Sequence, residues 1–112
     1  KYFIEEFDAN NLESENSDGC TPLIISAWKG QLDVVRYLLQ AKADLEAGTG
    51  MDGGRGEKAR PALIMAASFG KVNVVQYLIK EAHANVEIKD YGGLTPLIDA
   101  AMHGHLDVVR CL

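Results

Sequence analysis

The sequence has little of what lets a small chain fold without a large core. It holds two cysteines in 112 residues, too few for the disulfide framework of a core-poor secreted domain. At this length an apolar core buries roughly two-thirds of the unfolded chain's surface, so the two cysteines are read as free thiols. Three prolines exclude an extended polyproline architecture. No apolar run approaches the roughly 18 residues of a membrane span. The segment from Lys1 onward lacks the basic start, apolar stretch and small-residue cleavage site of a secretion signal. Positive charge is also short: 11 Lys and Arg face 16 Asp and Glu, for a net charge of -5. Phosphate backbones are bound through clustered Lys and Arg, and this balance speaks against nucleic-acid partners. A folded, cytoplasmic or nuclear chain without a membrane segment is expected.

The surplus acid is local. Glu5, Glu6, Asp8, Glu13, Glu15 and Asp18 stand against Lys1, whereas the remainder of the chain is balanced. What the chain does have is self-similarity. Thr21-Pro22-Leu23-Ile24 through Gly30 recurs as Thr95-Pro96-Leu97-Ile98 through Gly104, and Pro61-Ala62-Leu63-Ile64 through Gly70 occupies the same frame between them. Each glycine is followed by a second block: Leu32-Asp33-Val34-Val35, then Val72-Asn73-Val74-Val75, then Leu106-Asp107-Val108-Val109. Thr followed by Pro is a helix start, because the hydroxyl caps a free N–H and Pro fits the first turn. A glycine about two turns later can take the left-handed conformation that ends a helix. Leu32, Val35, Leu38 and Leu39 make one apolar face on a second helix. The packing needs of the first helices are assigned to Leu23, Leu63, Leu97 and the alanines.

These residues resemble the ankyrin repeat, with its Asp/Asn-x-x-Gly-x-Thr-Pro-Leu turn, Ala-rich first helix, Gly-His step and Leu/Val-rich second helix. The resemblance implies an all-α solenoid of antiparallel helix pairs joined by finger loops. It divides the chain into the end of one repeat (1–15), a repeat (16–47), a repeat with a lengthened finger (48–88) and an incomplete repeat (89–112), a window of a longer array. Repeats of this family run near 33 residues. Gly70 lies 40 residues after Gly30 and Gly104 lies 34 after Gly70, so the extra length falls before the second copy, in the glycine-rich stretch from Gly48 to Gly56. Pro61 replaces the capping Thr there, and an irregular helix start at Arg60 or Pro61 is expected. Glu13, Glu46 and Glu87 fill the loop position where repeats of this kind can carry a hydroxylated Asn, so that modification is not expected.

No catalytic set emerges. The glycine-rich stretch lacks the Gly-x-x-x-x-Gly-Lys-Ser/Thr order of a phosphate cradle, since Ala59 follows Lys58. Asp52 is alone where a calcium loop needs several oxygens. Asp99 and His103, four apart, read as a surface helix pair rather than a proton relay. His103 and His105 flank Gly104 in the Gly-His step, where imidazole bonds neighbouring loops, and zinc needs more ligands. No cofactor, metal or small-molecule substrate is therefore expected. The resemblance implies instead a non-catalytic module whose finger turns and first-helix faces form a concave partner-binding groove. Matched to this chain, that surface comprises Ser17, Asp18, Cys20, Trp28 and Lys29, with Arg55 in the long finger. It continues through Ser68 and Phe69 to Tyr91, Leu94, Met102 and His103. Trp28, Phe69 and Met102 stand where solvent-facing residues belong, the composition of an interface hot spot. The partner is expected to be a protein or peptide. The Thr-Pro-Leu-Ile-Ile run followed by a long finger also resembles the Fem-type substrate receptors of cullin ubiquitin ligases, and a targeting array joined to an enzyme is a further alternative.

Loop-closure entropy grows slowly with length. Deleting seven residues from the Gly48–Gly56 stretch is therefore expected to change stability by less than ~1 kcal/mol. Chemical denaturation of the shortened chain checks this, and loss of the helical circular-dichroism signal would contradict it.

Overall fold

The computed structural model describes residues 12–17, 20–45, 61–90 and 92–112. Within them lie helices α1 (Pro22–Lys29), α2 (Leu32–Gln40), α3 (Ala62–Ser68), α4 (Val72–Lys80), α5 (Pro96–Met102) and α6 (Leu106–Cys111). They form three antiparallel pairs, each turning over a two- or three-residue link. The first helices stack in the order α1, α3, α5 and the second helices in the order α2, α4, α6. This is the all-α solenoid expected. The Gly48–Gly56 finger and the chain's opening segment fall outside the described residues.

The starts of the first helices follow from their caps. Thr21 Oγ1 accepts from the Ile24 N–H at 3.3 Å and Thr95 Oγ1 from the Ile98 N–H at 3.2 Å. Pro61 has no hydroxyl, yet α3 does not start irregularly. Its ψ of 172° matches the 167° of Thr21 and the 166° of Thr95, and its carbonyl accepts from the Met65 N–H at 3.0 Å, as Thr21 does from Ile25. Proline is held at a φ near −65°, which the cap position tolerates, so only the side-chain bond is lost. At the other end, Gly30, Gly70 and Gly104 take φ of 74°, 71° and 74°. The backbone then closes on the last carbonyls of the first helix, as Lys71 N–H does on Ala66 O at 2.9 Å.

Stacking makes the core. Leu23, Ile24 and Ala27 of α1 and Leu63, Ile64 and Ala67 of α3 are all 2% exposed or less. Val35, Val75 and Leu78 of the second helices are fully buried beside them, and each such side chain stabilises the fold by about 1.5–3 kcal/mol. Leu97 departs from expectation. It is 45% exposed, because α5 meets α3 on one side and no described element on the other.

Inter-pair contacts converge on the glycines. A methyl group at Gly30 would lie 2.9 Å from Lys71 Cδ, and one at Gly70 would lie 2.7 Å from His105 Nδ1. Lys71 and His105, the residues after Gly70 and Gly104, thus lie over the glycines of the preceding pairs. His105 is held there by a 2.9 Å hydrogen bond between its Nε2 and Ser68 O, the neighbouring-loop role expected of the Gly-His step. On the finger side Glu13 Oε2 accepts from the Asp44 N–H at 2.8 Å, so Glu13 bridges its unit to the next.

Gly70→Ala is expected to cost about 2 kcal/mol or more, since the left-handed φ and the pinned imidazole both resist a Cβ. His83 takes a φ of 58° after α4, and His83→Gly should raise stability by up to about 1 kcal/mol by removing that strain. Paired urea denaturation curves read both changes; equal midpoints for the two variants would contradict the backbone argument.

Candidate functional interface

Each first helix offers three positions on the same side at i, i+3 and i+4. In α1 these are Ile25, Trp28 and Lys29, and in α3 and the residue that caps it they are Met65, Ser68 and Phe69. In α5 and the residue that caps it they are Asp99, Met102 and His103. The sequence reading took only the later two of each set.

The structure brings Trp28, Lys29 and Phe69 together. The rings of Trp28 and Phe69 approach to 5.6 Å between centroids at a tilt of 52°, within the separation at which aromatic rings attract. Lys29 Nζ stands 5.5 Å from the centre of the Trp28 ring, within range of a cation–π attraction. Phe69 is 44% exposed and Met102 64% exposed. Trp28 is half-buried and packs against the cluster of Cys20, Ile24 and Met65. It therefore anchors to the next pair and still offers surface.

Several expected residues stand elsewhere. Cys20 is 8% exposed and Ser68 5% exposed, so neither belongs to an open surface. Cys20 lies in the cluster under Trp28 and Ile25, and Ser68 is closed over from both sides because α3 is the middle helix of the stack. Asp99 is 1% exposed, which corrects its reading as half of a surface pair. Its backbone oxygen lies 2.9 Å from His103 Nδ1, and its carboxylate Oδ1 lies 3.4 Å from the same nitrogen. His103 itself is exposed, and its ring stacks at 6.2 Å and 13° on His105. Asp18, Arg55 and Tyr91 lie outside the described residues.

Ser17 is exposed at the base of the first finger turn and Leu94 half-buried at the base of the last. An Asx residue ties each turn: Asn16 Oδ1 accepts from the Cys20 N–H at 3.0 Å and Asp90 Oδ1 from the Leu94 N–H at 2.9 Å. A short polar side chain that replaces a backbone acceptor is the general device for such turns. Ile25 is the half-buried residue of this face that the sequence reading missed, and Met65, at the same repeat position, is buried beneath it. The signal was present in the i, i+3 spacing back from Trp28 and Ser68.

Among the described residues the face is aromatic and apolar, with Lys29 and His103 at its edge. Among the described residues no group of three or more His, Cys, Asp or Glu side chains is placed to hold a metal ion. Cys20 and Cys111 are not joined in a disulfide.

Known proteins supply a second line of observation. A family model described as ankyrin repeats in 3 copies matches residues 1–49 and 45–112. The mouse protein fem-1 homolog A-like is 39% identical over 91% of this chain and 14% of its own length. The liver isoform of mitochondrial glutaminase from rat is 32% identical over 80% of the chain and 14% of its own length. Rat ankyrin repeat and SAM domain-containing protein 6 is 32% identical over 82% of the chain and 10% of its own length. The chain thus spans about a seventh of the length of the first two.

Proposed function

Because this chain belongs to the ankyrin-repeat family, whose repeats are generally protein-interaction modules, we propose that a partner protein or peptide binds it across Trp28, Phe69 and Met102. The observation that carries the proposal is the half-open pair of Trp28 and Phe69, drawn from successive first helices at 5.6 Å with Lys29 above the indole. Large rings fixed by packing lose little side-chain freedom on binding, and aromatic anchors dominate protein interfaces. Lys29 and His103 add polar contacts at the rim, and Ser17 extends the surface toward the finger turns. The chemistry is recognition without catalysis.

The resemblance to the Fem-type receptors and the 39% identity to fem-1 homolog A-like favour a finer reading, in which the partner is a short degron peptide presented to a ubiquitin ligase. The glutaminase relative supports the alternative of a targeting array on an enzyme. A peptide-level ligand for the isolated chain favours the first, and a requirement for a whole folded partner favours the second.

Binders selected from a random peptide display on this chain give the test. Phe69→Ala, which removes an exposed ring, is expected to weaken a selected peptide by tenfold or more while shifting the thermal midpoint little; Trp28→Ala should weaken it as much and cost some stability as well. Selected peptides that bind the Phe69→Ala and Met102→Ala chains as well as the original would overturn the assignment.

A further inference from the structure

Lys29, Phe69 and His103 hold the same repeat position, directly before Gly30, Gly70 and Gly104, and all three are exposed. They differ in what they offer a partner. An ammonium group only donates hydrogen bonds, a phenyl ring does neither, and a neutral imidazole donates at one nitrogen and accepts at the other. Which nitrogen of His103 does which is decided by its neighbours.

His103 Nδ1 lies 2.9 Å from the Asp99 backbone oxygen and 3.4 Å from Asp99 Oδ1. A carbonyl oxygen has no proton to give, so a bond this short needs the proton on Nδ1. The lone pair of the neutral ring is then on Nε2. His105 has the opposite arrangement, because its Nε2 lies 2.9 Å from Ser68 O and so carries the proton itself. The two rings stack at 6.2 Å and 13°, and Asp99 is buried, so the groups that orient His103 are fixed. Its side chain is nonetheless 48% exposed, and among the described residues no group bonds its Nε2.

We infer that this face reads its partner in a set order: Lys29 takes a carboxylate, Phe69 an apolar side chain and His103, through the lone pair on Nε2, an N–H or O–H donor. The inference rests on the partner-binding reading above and makes His103 a specificity-determining residue within it. Packed helices lie about 8–10 Å apart and an extended chain advances about 3.3 Å per residue. A peptide laid across α1, α3 and α5 therefore spends about three residues on each helix. Its sequence is an acid, an apolar anchor about three residues on, and a donor about three residues beyond that. A carboxylate at His103 would set lone pair against lone pair and lose its water without a replacement, so the reversed order is refused.

Two measurements test this. Imidazole proton–nitrogen correlation spectra of the chain at ~pH 7.5 are expected to show His103 protonated at Nδ1 alone and His105 at Nε2 alone. A His103 ring protonated at Nε2, or at both nitrogens, overturns the inference. The second measurement uses peptides from the random display that Phe69→Ala weakens. Replacing the donor residue of such a peptide by Glu should weaken binding about tenfold or more, and by less than about twofold on the His103→Phe chain, which keeps a ring beside His105 but has no lone pair. His103→Gln, whose amide oxygen accepts, should restore part of the discrimination. Gln and Lys in place of the donor compare a neutral with a charged one, and retained binding of either supports the inference. Peptides that depend on Phe69 yet accept Glu there, or discriminate equally well on the His103→Phe chain, overturn the inference and leave the partner-binding reading standing. If no selected peptide depends on Phe69 or Met102, both fall.

Discussion

A helix of seven residues does not persist in water, because its nucleation cost is recovered only over many more turns. Helix α3 has that length, and every one of its residues from Ala62 to Ser68 is buried. It exists because α1 covers one side and α5 the other. The same condition governs the whole molecule, since each pair supplies half of an interface that only its neighbours complete. The family's quasi-one-dimensional energetics, a sum over nearest-neighbour contacts, follow from this single constraint.

Close stacking has requirements that reach the surface. Ala27, Ala66 and Ala67 are fully buried and let the first helices approach, and Gly30 and Gly70 admit the Lys71 stem and the His105 ring. Alongside these small positions the first helices bury Leu23, Ile24, Leu63 and Ile64, and their free side carries Trp28 and Phe69. Trp28 and Phe69 meet there at 5.6 Å, closer together than two residues on separate surface loops would be held. The candidate interface is thus a by-product of stacking: the spacing of its rings is fixed by the spacing of the helices beneath them.

Asp99 illustrates the same coupling in polar form. Its first-copy and second-copy counterparts are Ile25 and Met65, both packed around Cys20 and Trp28. In the third copy a carboxylate occupies that place, 1% exposed, with His103 one turn on. A buried polar group needs a hydrogen-bond partner, and the His103 ring nitrogen lies 3.4 Å from its Oδ1. The character of the face therefore changes along the stack from aromatic at Trp28 and Phe69 to polar at Asp99 and His103.

The order of residues along the chain determined the local events by itself. Thr21 and Thr95 cap, Pro22 and Pro96 fit the first turn, the three glycines reverse the chain, and Val35 and Leu38 mark the buried side of a second helix, because each depends on neighbours within a turn or two. Burial across the stack was decided only in three dimensions. Ser68 and Met102 hold equivalent repeat positions, yet one is closed over and the other open. Leu63 and Leu97 are equivalent too, yet only Leu63 is core. The difference is which helix lies on either side. Pro61 kept a regular helix start without a hydroxyl for a related reason: the packing of α3 between its neighbours sets its backbone more firmly than a single cap bond does. Periodicity names the face of a helix, but exposure belongs to the neighbours, and sequence spacing carries no record of which neighbour is present.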